Sequence, residues 1–313
     1  MVAARAREMT TRPWVLIGVP TSAGAHHAGQ ERAPAALRAA GFLERLRAAG
    51  IAVTDGGDLP ATPFQVSPGR YRNLAAVARV AGQVRDRVSA VLADGGAPLI
   101  VGGDCTITLG VAAAFGPGVR LIYEDGDTDL GGLGNADTPG SGILDSTGVA
   151  HLLGEGAPEL VRLGPAVPLV SPERLALVGG DPRETTDEGR QYLAARGVRV
   201  LEGPALAASP GGTARQALDA VGPAGPLLVH FDVDVIDSGE LPLGNFPHYG
   251  SGVTAAAAFG CLRELCQAGS PSGLVLTEVN PTHDPSGELL GRYIDGVAGA
   301  LAADGGGDPG PAR

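Results

Sequence analysis

The sequence contains no lysine, so all 23 of its basic residues are arginines. Chemistry that depends on a lysine, such as a Schiff base or the lysine of a phosphate-binding loop, is therefore excluded. Only three cysteines occur, Cys105, Cys261 and Cys266. They are too few for a disulfide framework, and their odd number is typical of a reducing compartment. No apolar run approaches the roughly 18 to 20 residues of a membrane span.

Positive charge is also in short supply, because 34 acidic residues give the 313-residue chain a net charge of −11. This balance argues against a nucleic-acid groove or an anionic membrane surface as a partner, and it suits a protein that holds cations. The apolar segment near the N-terminus is too short for a signal peptide, so we expect a cytoplasmic protein. We expect residues 1–12 and 304–313 to be disordered and residues 13–303 to form a single domain.

Short apolar runs alternate with segments of helical periodicity along the whole chain. The runs lack internal alternation, which is typical of parallel strands that are covered on both faces. We predict a three-layer α/β/α fold with a mostly parallel eight-stranded sheet. The predicted strands are 14–20, 51–57, 98–103, 119–124, 175–180, 198–202, 226–232 and 273–279. The predicted helices are 33–48, 72–93, 106–115, 184–196, 212–221, 254–267 and 287–303.

Acidic side chains follow four of these strands at the point where each strand ends. Ligands of open parallel sheets bind at the carboxyl ends of the strands, so we expect these acids to share one edge. A single Asp-x-Asp after a strand is commonly only a turn or a helix cap, but several such ends in one sheet are harder to explain in that way. The acids are Asp104, Glu124, Asp125, Asp127, Asp129, Asp232, Asp234 and Glu278.

Asp side chains at positions i and i+2 of an extended backbone lie on the same face, so each such pair could chelate a cation. Asp125, Asp127 and Asp129 form two overlapping pairs, and Asp232 and Asp234 form another. An uncompensated buried charge costs several kcal/mol, so this group of carboxylates needs about two divalent ions. The sequence therefore predicts a pair of metal ions at the sheet edge.

The segments that follow these strands resemble those of the arginase/agmatinase (ureohydrolase) family. Where that family has Gly-Gly-Asp-His, this chain has GGDC at 102–105, and where it has Asp-Ala-His-x-Asp, this chain has DGDTD at 125–129. The family segments Phe-Asp-Val-Asp and Glu-Val-Asn-Pro recur unchanged at 231–234 and 278–281. The resemblance implies an arginase-like fold and an amidinohydrolase that cleaves a C–N bond of a guanidino compound.

The resemblance also implies a site. Two divalent ions, manganese in the family, would share a hydroxide that attacks the guanidinium carbon, and both would be bridged by Asp125 and Asp232. Glu278 would pair with a cationic small-molecule substrate. The chain would form a homo-oligomer, a trimer or a hexamer. The family's six ligand positions are occupied here by Cys105, Asp125, Asp127, Asp129, Asp232 and Asp234.

The chain departs from the family at both ligand histidines, which are replaced by Cys105 and Asp127. The added carboxylate suits Mn²⁺ or Mg²⁺, whereas a thiolate suits Zn²⁺, Fe²⁺ or Ni²⁺. Asp145 stands where the family has a proton-shuttling histidine. His151, six residues further on, could serve as the shuttle or could have a structural role.

Other side chains keep more than one interpretation. Cys105 could be a metal ligand, a small core residue, or a covalent nucleophile, although the sequence indicates no base beside it. We expect His230, which lies inside a predicted strand, to be packed in the core, and His248 to lie in a rim loop. Two other functions remain open: an arginase-like binding or regulatory protein without catalysis, and a formimino or amide hydrolase on the same scaffold.

Overall fold

The computed structural model describes residues 12–65, 67, 69–131 and 142–302. The terminal segments that the sequence predicts to be disordered lie outside these residues, apart from Arg12. One sheet contains all eight predicted strands in the order β2-β1-β3-β8-β7-β4-β5-β6, and every pairing between them is parallel. The strands are β1 Trp14–Gly18, β2 Val53–Asp58, β3 Ala97–Val101, β4 Arg120–Glu124, β5 Leu175–Val178, β6 Arg199–Leu201, β7 Leu227–Asp232 and β8 Gly273–Thr277.

The predicted helices are all present, and the first of them is broken into two. Gly41 has a φ of 81°, a left-handed conformation that glycine adopts without strain, and it separates α1 from α2. Three short helices, α5, α6 and α8, were not predicted, because four to six residues are too few for a periodic pattern. The helices are α1 Ala33–Ala39, α2 Phe42–Ala48, α3 Leu74–Ala93, α4 Ile107–Phe115, α5 Gly148–Leu152, α6 Pro158–Val161, α7 Asp187–Arg196, α8 Gly203–Ala208, α9 Pro210–Val221, α10 Ala255–Gly269 and α11 Glu288–Leu301.

Both faces of the sheet are covered by helices, as the continuous apolar runs predicted. The four central strands β3, β8, β7 and β4 are buried along their whole lengths. Side chains from α1, α2 and α8 to α11 pack on one face, and side chains from α3 to α7 pack on the other. Every strand except the edge strand β2 therefore contributes alternate residues to two separate apolar layers.

The same four central strands are the ones that the acidic segments follow. β3, β8, β7 and β4 are direct neighbours, so their carboxyl ends lie side by side in the middle of one sheet edge. No helix within the described part of the chain is long and apolar enough to cross a membrane. The order of the strands thus brings together acids that are up to about half the chain apart in sequence.

Candidate metal centre

The strand ends place a thiol and several carboxylates in contact. Cys105, which follows β3, has its Sγ 2.7 Å from Oδ2 of Asp232 at the end of β7 and 3.9 Å from Oδ2 of Asp125 after β4. Cys105 and Asp232 are buried, and Asp125 is only 3% exposed. These three side chains therefore lie together at one edge of the sheet, as the sequence predicted.

The backbone holds each Asp-x-Asp segment in a turn. Asp125 Oδ1 accepts the amide N–H of Asp127 at 2.6 Å, and Asp232 Oδ1 accepts that of Asp234 at 2.8 Å. The amide of Gly126 donates to Asp234 Oδ1 at 3.1 Å, which links the two turns. Each Asp-x-Asp segment thus forms the turn that is common after a strand. The turn uses one carboxylate oxygen of Asp125 and of Asp232 and leaves the other oxygen facing Cys105.

Burial makes the cluster electrostatically costly in the absence of cations. Desolvation, followed by repulsion from Asp234, raises the pKa values of Asp125 and Asp232 well above the ordinary range for aspartate. Burial also raises the pKa of Asp234, to about 6. Burial and the charge of Asp232 raise the pKa of the Cys105 thiol well above its usual value. Each of these groups resists ionisation unless positive charge is supplied.

A histidine from inside strand β7 reaches this cluster. The ring of His230 is fully buried, and its Nε2 lies 3.6 Å from Cys105 Sγ, 3.7 Å from Asp125 Oδ2 and 4.0 Å from Asp232 Oδ2. The other nitrogen, Nδ1, is 2.8 Å from the Thr108 hydroxyl of α4. Burial lowers the pKa of His230 to about 3, so the ring is neutral. We call Cys105, Asp125, His230 and Asp232 the inner group; their potential ligand atoms all lie within 4.8 Å of one another.

A second histidine lies beside the outer carboxylates. Nε2 of His248 is 3.5 Å from Asp127 Oδ2 and 3.8 Å from Asp234 Oδ2. Burial alone would lower the pKa of this ring, but Asp127 and Asp234 outweigh it and raise the pKa to about 9. We call Asp127, Asp234 and His248 the outer group; their potential ligand atoms also lie within 4.8 Å of one another.

The carboxylates of both groups and Cys105, but not His230 or His248, line a cavity of about 370 Å³. Among the described residues that line it, every ionisable side chain except Cys105 and His26 is acidic. The acidic ones are Asp125, Asp127, Asp129, Asp145, Glu184, Glu188, Asp232, Asp234 and Glu278. Such a wall attracts cations and disfavours anionic ligands.

Glu278 enters the cavity from β8 in a strained conformation. Its φ is 65°, which is rare for a residue with a side chain and is typical of functional positions. Its Oε2 accepts a hydrogen bond from the side chain of Gln30, while its buried Oε1 has no partner among the described residues. Gln30 was not predicted as a site residue, because its burial depends on the fold of a glycine-rich segment that has no periodic pattern.

Of the remaining predicted site residues, Asp129 and Asp145 line the cavity, whereas His151 does not. Asp129 accepts a hydrogen bond from the Tyr123 hydroxyl at 2.5 Å, and it is not a member of the inner or the outer group. Asp145 lies with Cys105 and Glu278 in a third set of potential ligands that are within 4.8 Å of one another. It also accepts the backbone N–H of Cys105 at 2.7 Å.

His151 is not brought to the cluster. It is 1% exposed, its Nδ1 is 2.9 Å from the carbonyl of Thr147, and its Nε2 accepts the amide N–H of Ala157 at 3.0 Å. Both ring nitrogens are therefore engaged with the backbone, and the residue is not part of the cavity lining. These contacts favour the structural one of its two predicted roles.

The surroundings of the Cys105 thiol favour one of its predicted roles over that of a nucleophile. The base that the sequence did not reveal is present, since His230 Nε2 is 3.6 Å from the sulfur. However, burial and the neighbouring carboxylates raise the thiol pKa, which is opposite to the shift that a nucleophilic cysteine requires. A thiol in this position suits a metal ligand better, because a bound cation would deprotonate it.

The residues present fit divalent cations. Nε2 of His248 and Oε1 of Glu278 are buried and make no hydrogen bond to any described residue, so both atoms are available as ligands. Carboxylate, imidazole and thiolate are the usual ligands of Mn²⁺, Fe²⁺ and Zn²⁺. Ligands about 2.0 to 2.3 Å from one ion lie within roughly 4.6 Å of each other, which is close to the separations in both groups.

The fold and the cluster together define a parallel α/β protein with potential metal-binding side chains at the ends of its central strands. The sequence model described as the Arginase family matches residues 12–295, and the chain belongs to that family. This result confirms the family and the amidinohydrolase class that the sequence predicted.

Individual relatives agree with this assignment at a distance. Arginase-1 of Homo sapiens is 28% identical over 305 residues, which cover 93% of this chain and 92% of that protein. The solved structure of Bacillus subtilis arginase is similar at 25% identity with a TM-score of 0.82, covering 93% of this chain and 99% of that one. Trypanosoma cruzi formiminoglutamase, solved with Mn²⁺, shares the fold at 20% identity and a TM-score of 0.70, covering 96% and 97%.

Proposed function

We propose that this chain is a metal-dependent hydrolase that cleaves a C–N bond of a cationic guanidino compound. One observation carries the proposal: an acid-lined cavity whose wall includes the thiol and carboxylates of two groups of potential metal ligands, on a chain of the arginase family. A guanidinium is a planar cation, and a wall of carboxylates is complementary to it.

The ions would be held at the inner and outer groups, with Cys105, Asp125 and Asp232 on the inner side and Asp127 and Asp234 on the outer side. Divalent ions bound there would supply activation of a water molecule and charge stabilisation in the transition state. The oxygen-rich outer group suits Mn²⁺. The inner group contains a thiol and an imidazole, so Zn²⁺, Fe²⁺ or Ni²⁺ could also bind there.

The other cavity residues would bind the substrate and move the proton. Hydrolysis adds the water oxygen to the guanidinium carbon, breaks one C–N bond and requires a proton on the departing amine. Glu278, whose Oε1 is buried without a partner, would accept hydrogen bonds from the guanidinium. Asp145 would hold the proton: burial, then repulsion from Asp104, raises its pKa well above the usual aspartate range.

The test is a turnover assay on the full chain loaded with Mn²⁺. A panel of guanidino compounds with amine, neutral and carboxylate tails would be screened for urea release. We expect turnover with at least one cationic member and no turnover after chelation. Formimino and amide compounds would be tested beside the panel. Release of formamide from the former, or of ammonia from the latter, without urea from any guanidino compound would instead indicate a formimino or amide hydrolase. Metal binding without turnover of any of these compounds would favour a non-catalytic binding protein.

A second readout separates the metal mechanism from covalent chemistry at Cys105. If Cys105 were the nucleophile with His230 as its base, urea release would persist in chelator and would stop on alkylation of the thiol. Homo-oligomer formation stays a prediction of the family resemblance, and light scattering coupled to gel filtration would test it.

A further inference from the structure

We propose that His230 and His248 are metal ligands, one in the inner group and one in the outer group, and that they replace the imidazoles absent from positions 105 and 127. The inference rests on the proposed function in one respect, namely that the cluster holds divalent ions. It adds that each ion has a histidine ligand from a part of the chain that the family motifs do not include.

The position of His230 follows from the two-residue period of strand β7. His230 and Asp232 point to the same face, so the ring lies one step below the carboxylate that faces Cys105. The ring stacks on Tyr123 of the neighbouring strand, with centroids 3.7 Å apart and planes at 3°. This packing and the contact from Nδ1 to the Thr108 hydroxyl fix the ring so that Nε2 faces Cys105 and Asp125, with the Thr277 hydroxyl 3.3 Å away.

That arrangement is the one that metal-bound histidines have in proteins. One ring nitrogen faces the ion while the other is hydrogen-bonded, which fixes the tautomer and the orientation. The sulfur and Nε2 are 3.6 Å apart, a separation that two ligands of one ion can have.

His248 is held in place by its own backbone. Its N–H donates to the Ser238 hydroxyl at 2.9 Å, and its carbonyl accepts the N–H of Ser238 at 3.1 Å. The residue is 3% exposed, yet Nε2 makes no hydrogen bond within the described part of the chain. Nε2 instead lies 3.5 Å from Asp127 Oδ2 and 3.8 Å from Asp234 Oδ2, separations that three ligands of one cation can have.

Gly126 supplies the space for this ring. A Cβ at position 126 would lie 2.8 Å from both Cδ2 and Nε2 of His248, closer than such atoms approach in proteins. The family motif has alanine at this position, between the bridging aspartate and the ligand histidine. The two differences, glycine at 126 and aspartate at 127, therefore both accompany the approach of His248 to the outer group.

The first experiment measures metal content and affinity. Wild type and His248→Ala would be loaded with Mn²⁺, freed of excess metal and measured by mass spectrometry and calorimetry. We expect about two ions in the wild type and about one in the variant, with the second affinity weakened more than roughly 100-fold, beyond the loss of an outer-shell partner. Gly126→Ala should weaken the same ion while retaining the imidazole.

The matched experiment for the inner group uses His230→Asn, which keeps a polar side chain in the buried position. We expect it to lose the tighter ion while its circular dichroism spectrum is unchanged. His27→Ala, an exposed histidine outside the cavity lining, is the control and should bind about two ions with wild-type affinity.

Double variants test replacement directly. In Asp127→His/His248→Ala and Cys105→His/His230→Ser, the imidazole returns to the family position, and we expect affinity to recover to within about tenfold of the wild type. A merely structural role of either histidine would not give such recovery.

The outcomes separate the two proposals. Two ions in the wild type together with unchanged affinities in His230→Asn and His248→Ala would overturn this inference and leave the proposed function intact. No bound ion in the wild type would overturn both. One ion in the wild type, unaffected by His248→Ala, would show that the charged imidazole takes the place of the outer ion and would also overturn the inference.

Discussion

The inner and outer groups differ in the structural elements that build them. The inner group is fully buried and stands on strand ends, and its histidine comes from within a strand. The outer group takes its histidine from a loop, and Asp127 has a side chain that is 30% exposed. Strands hold side chains more rigidly than loops do, so the inner group is pre-organised and the outer group is more adaptable. We therefore expect the inner ion to bind more tightly and to exchange more slowly.

The largest expected effect comes from the residue that connects the two groups. Asp232 belongs to the inner group, and its Oδ1 accepts the amide N–H of Asp234 in the outer group. Asp232→Asn should lose both ions and reduce kcat/KM by at least about 1,000-fold, because several kcal/mol of transition-state stabilisation would be lost. Asp219→Asn, on the exposed side of α9, is the control. Retention of two ions by Asp232→Asn would contradict the account.

A smaller effect that is confined to the inner group is expected from Thr108→Val. The substitution removes the hydroxyl beside His230 Nδ1 and should weaken the inner ion by about 10- to 100-fold without changing the outer one. Thr213→Val removes another buried hydroxyl that bonds a backbone carbonyl far from the cluster. Calorimetric titration would compare the two variants, and an equal loss in both would remove the distinction between the groups.

The acidic side chains of both groups could be predicted from the sequence, whereas the contribution of the two histidines could not. The strand ends at Asp125 and Asp232 could be read from apolar runs followed by acids. The placement of His230 could not, because a histidine inside an apolar strand is more often packed than ligating. The period of two that puts it beneath Asp232 was present in the sequence, but only the strand order β3-β8-β7-β4 brings Cys105 and Asp125 within reach of its ring.

His248 illustrates a different limit. The loop that contains His248 has no periodicity. The two hydrogen bonds between the backbone of His248 and Ser238 are tertiary contacts, which a local pattern does not predict. The one signal of this arrangement in the sequence was Gly126 in place of the family's alanine. That difference can be interpreted only when the position of the His248 ring is known. Loops that approach a strand edge are positioned by the whole fold, so their side chains cannot be assigned from local pattern alone.

Removal of metal should affect stability in two steps. A chelator should first extract the outer ion and then, at higher concentration, the inner one. A ligand present at about 100 times its Kd stabilises the folded state by about 2.7 kcal/mol, so each step should lower the unfolding temperature. Thermal unfolding followed at increasing chelator concentration would measure both steps. A single step, or no shift, would contradict two sites of different affinity.

The smallest effect on the centre is expected from His151→Asn. Loss of its hydrogen bonds to the backbone of Thr147 and Ala157 should reduce the free energy of unfolding by about 1 to 3 kcal/mol. Metal content and kcat should stay within about twofold of the wild type, because both ring nitrogens contact the backbone and the ring belongs to neither ligand group. A loss of turnover in folded, fully loaded protein would assign this residue the proton-shuttling role that the sequence left open.

Metal content per chain is the most direct test of the central claim. The full chain would be purified without chelator, loaded with Mn²⁺, separated from free metal and analysed by mass spectrometry. The account predicts about two ions per chain, one for the inner group and one for the outer. Protein that is folded and carries no divalent ion after loading would contradict it.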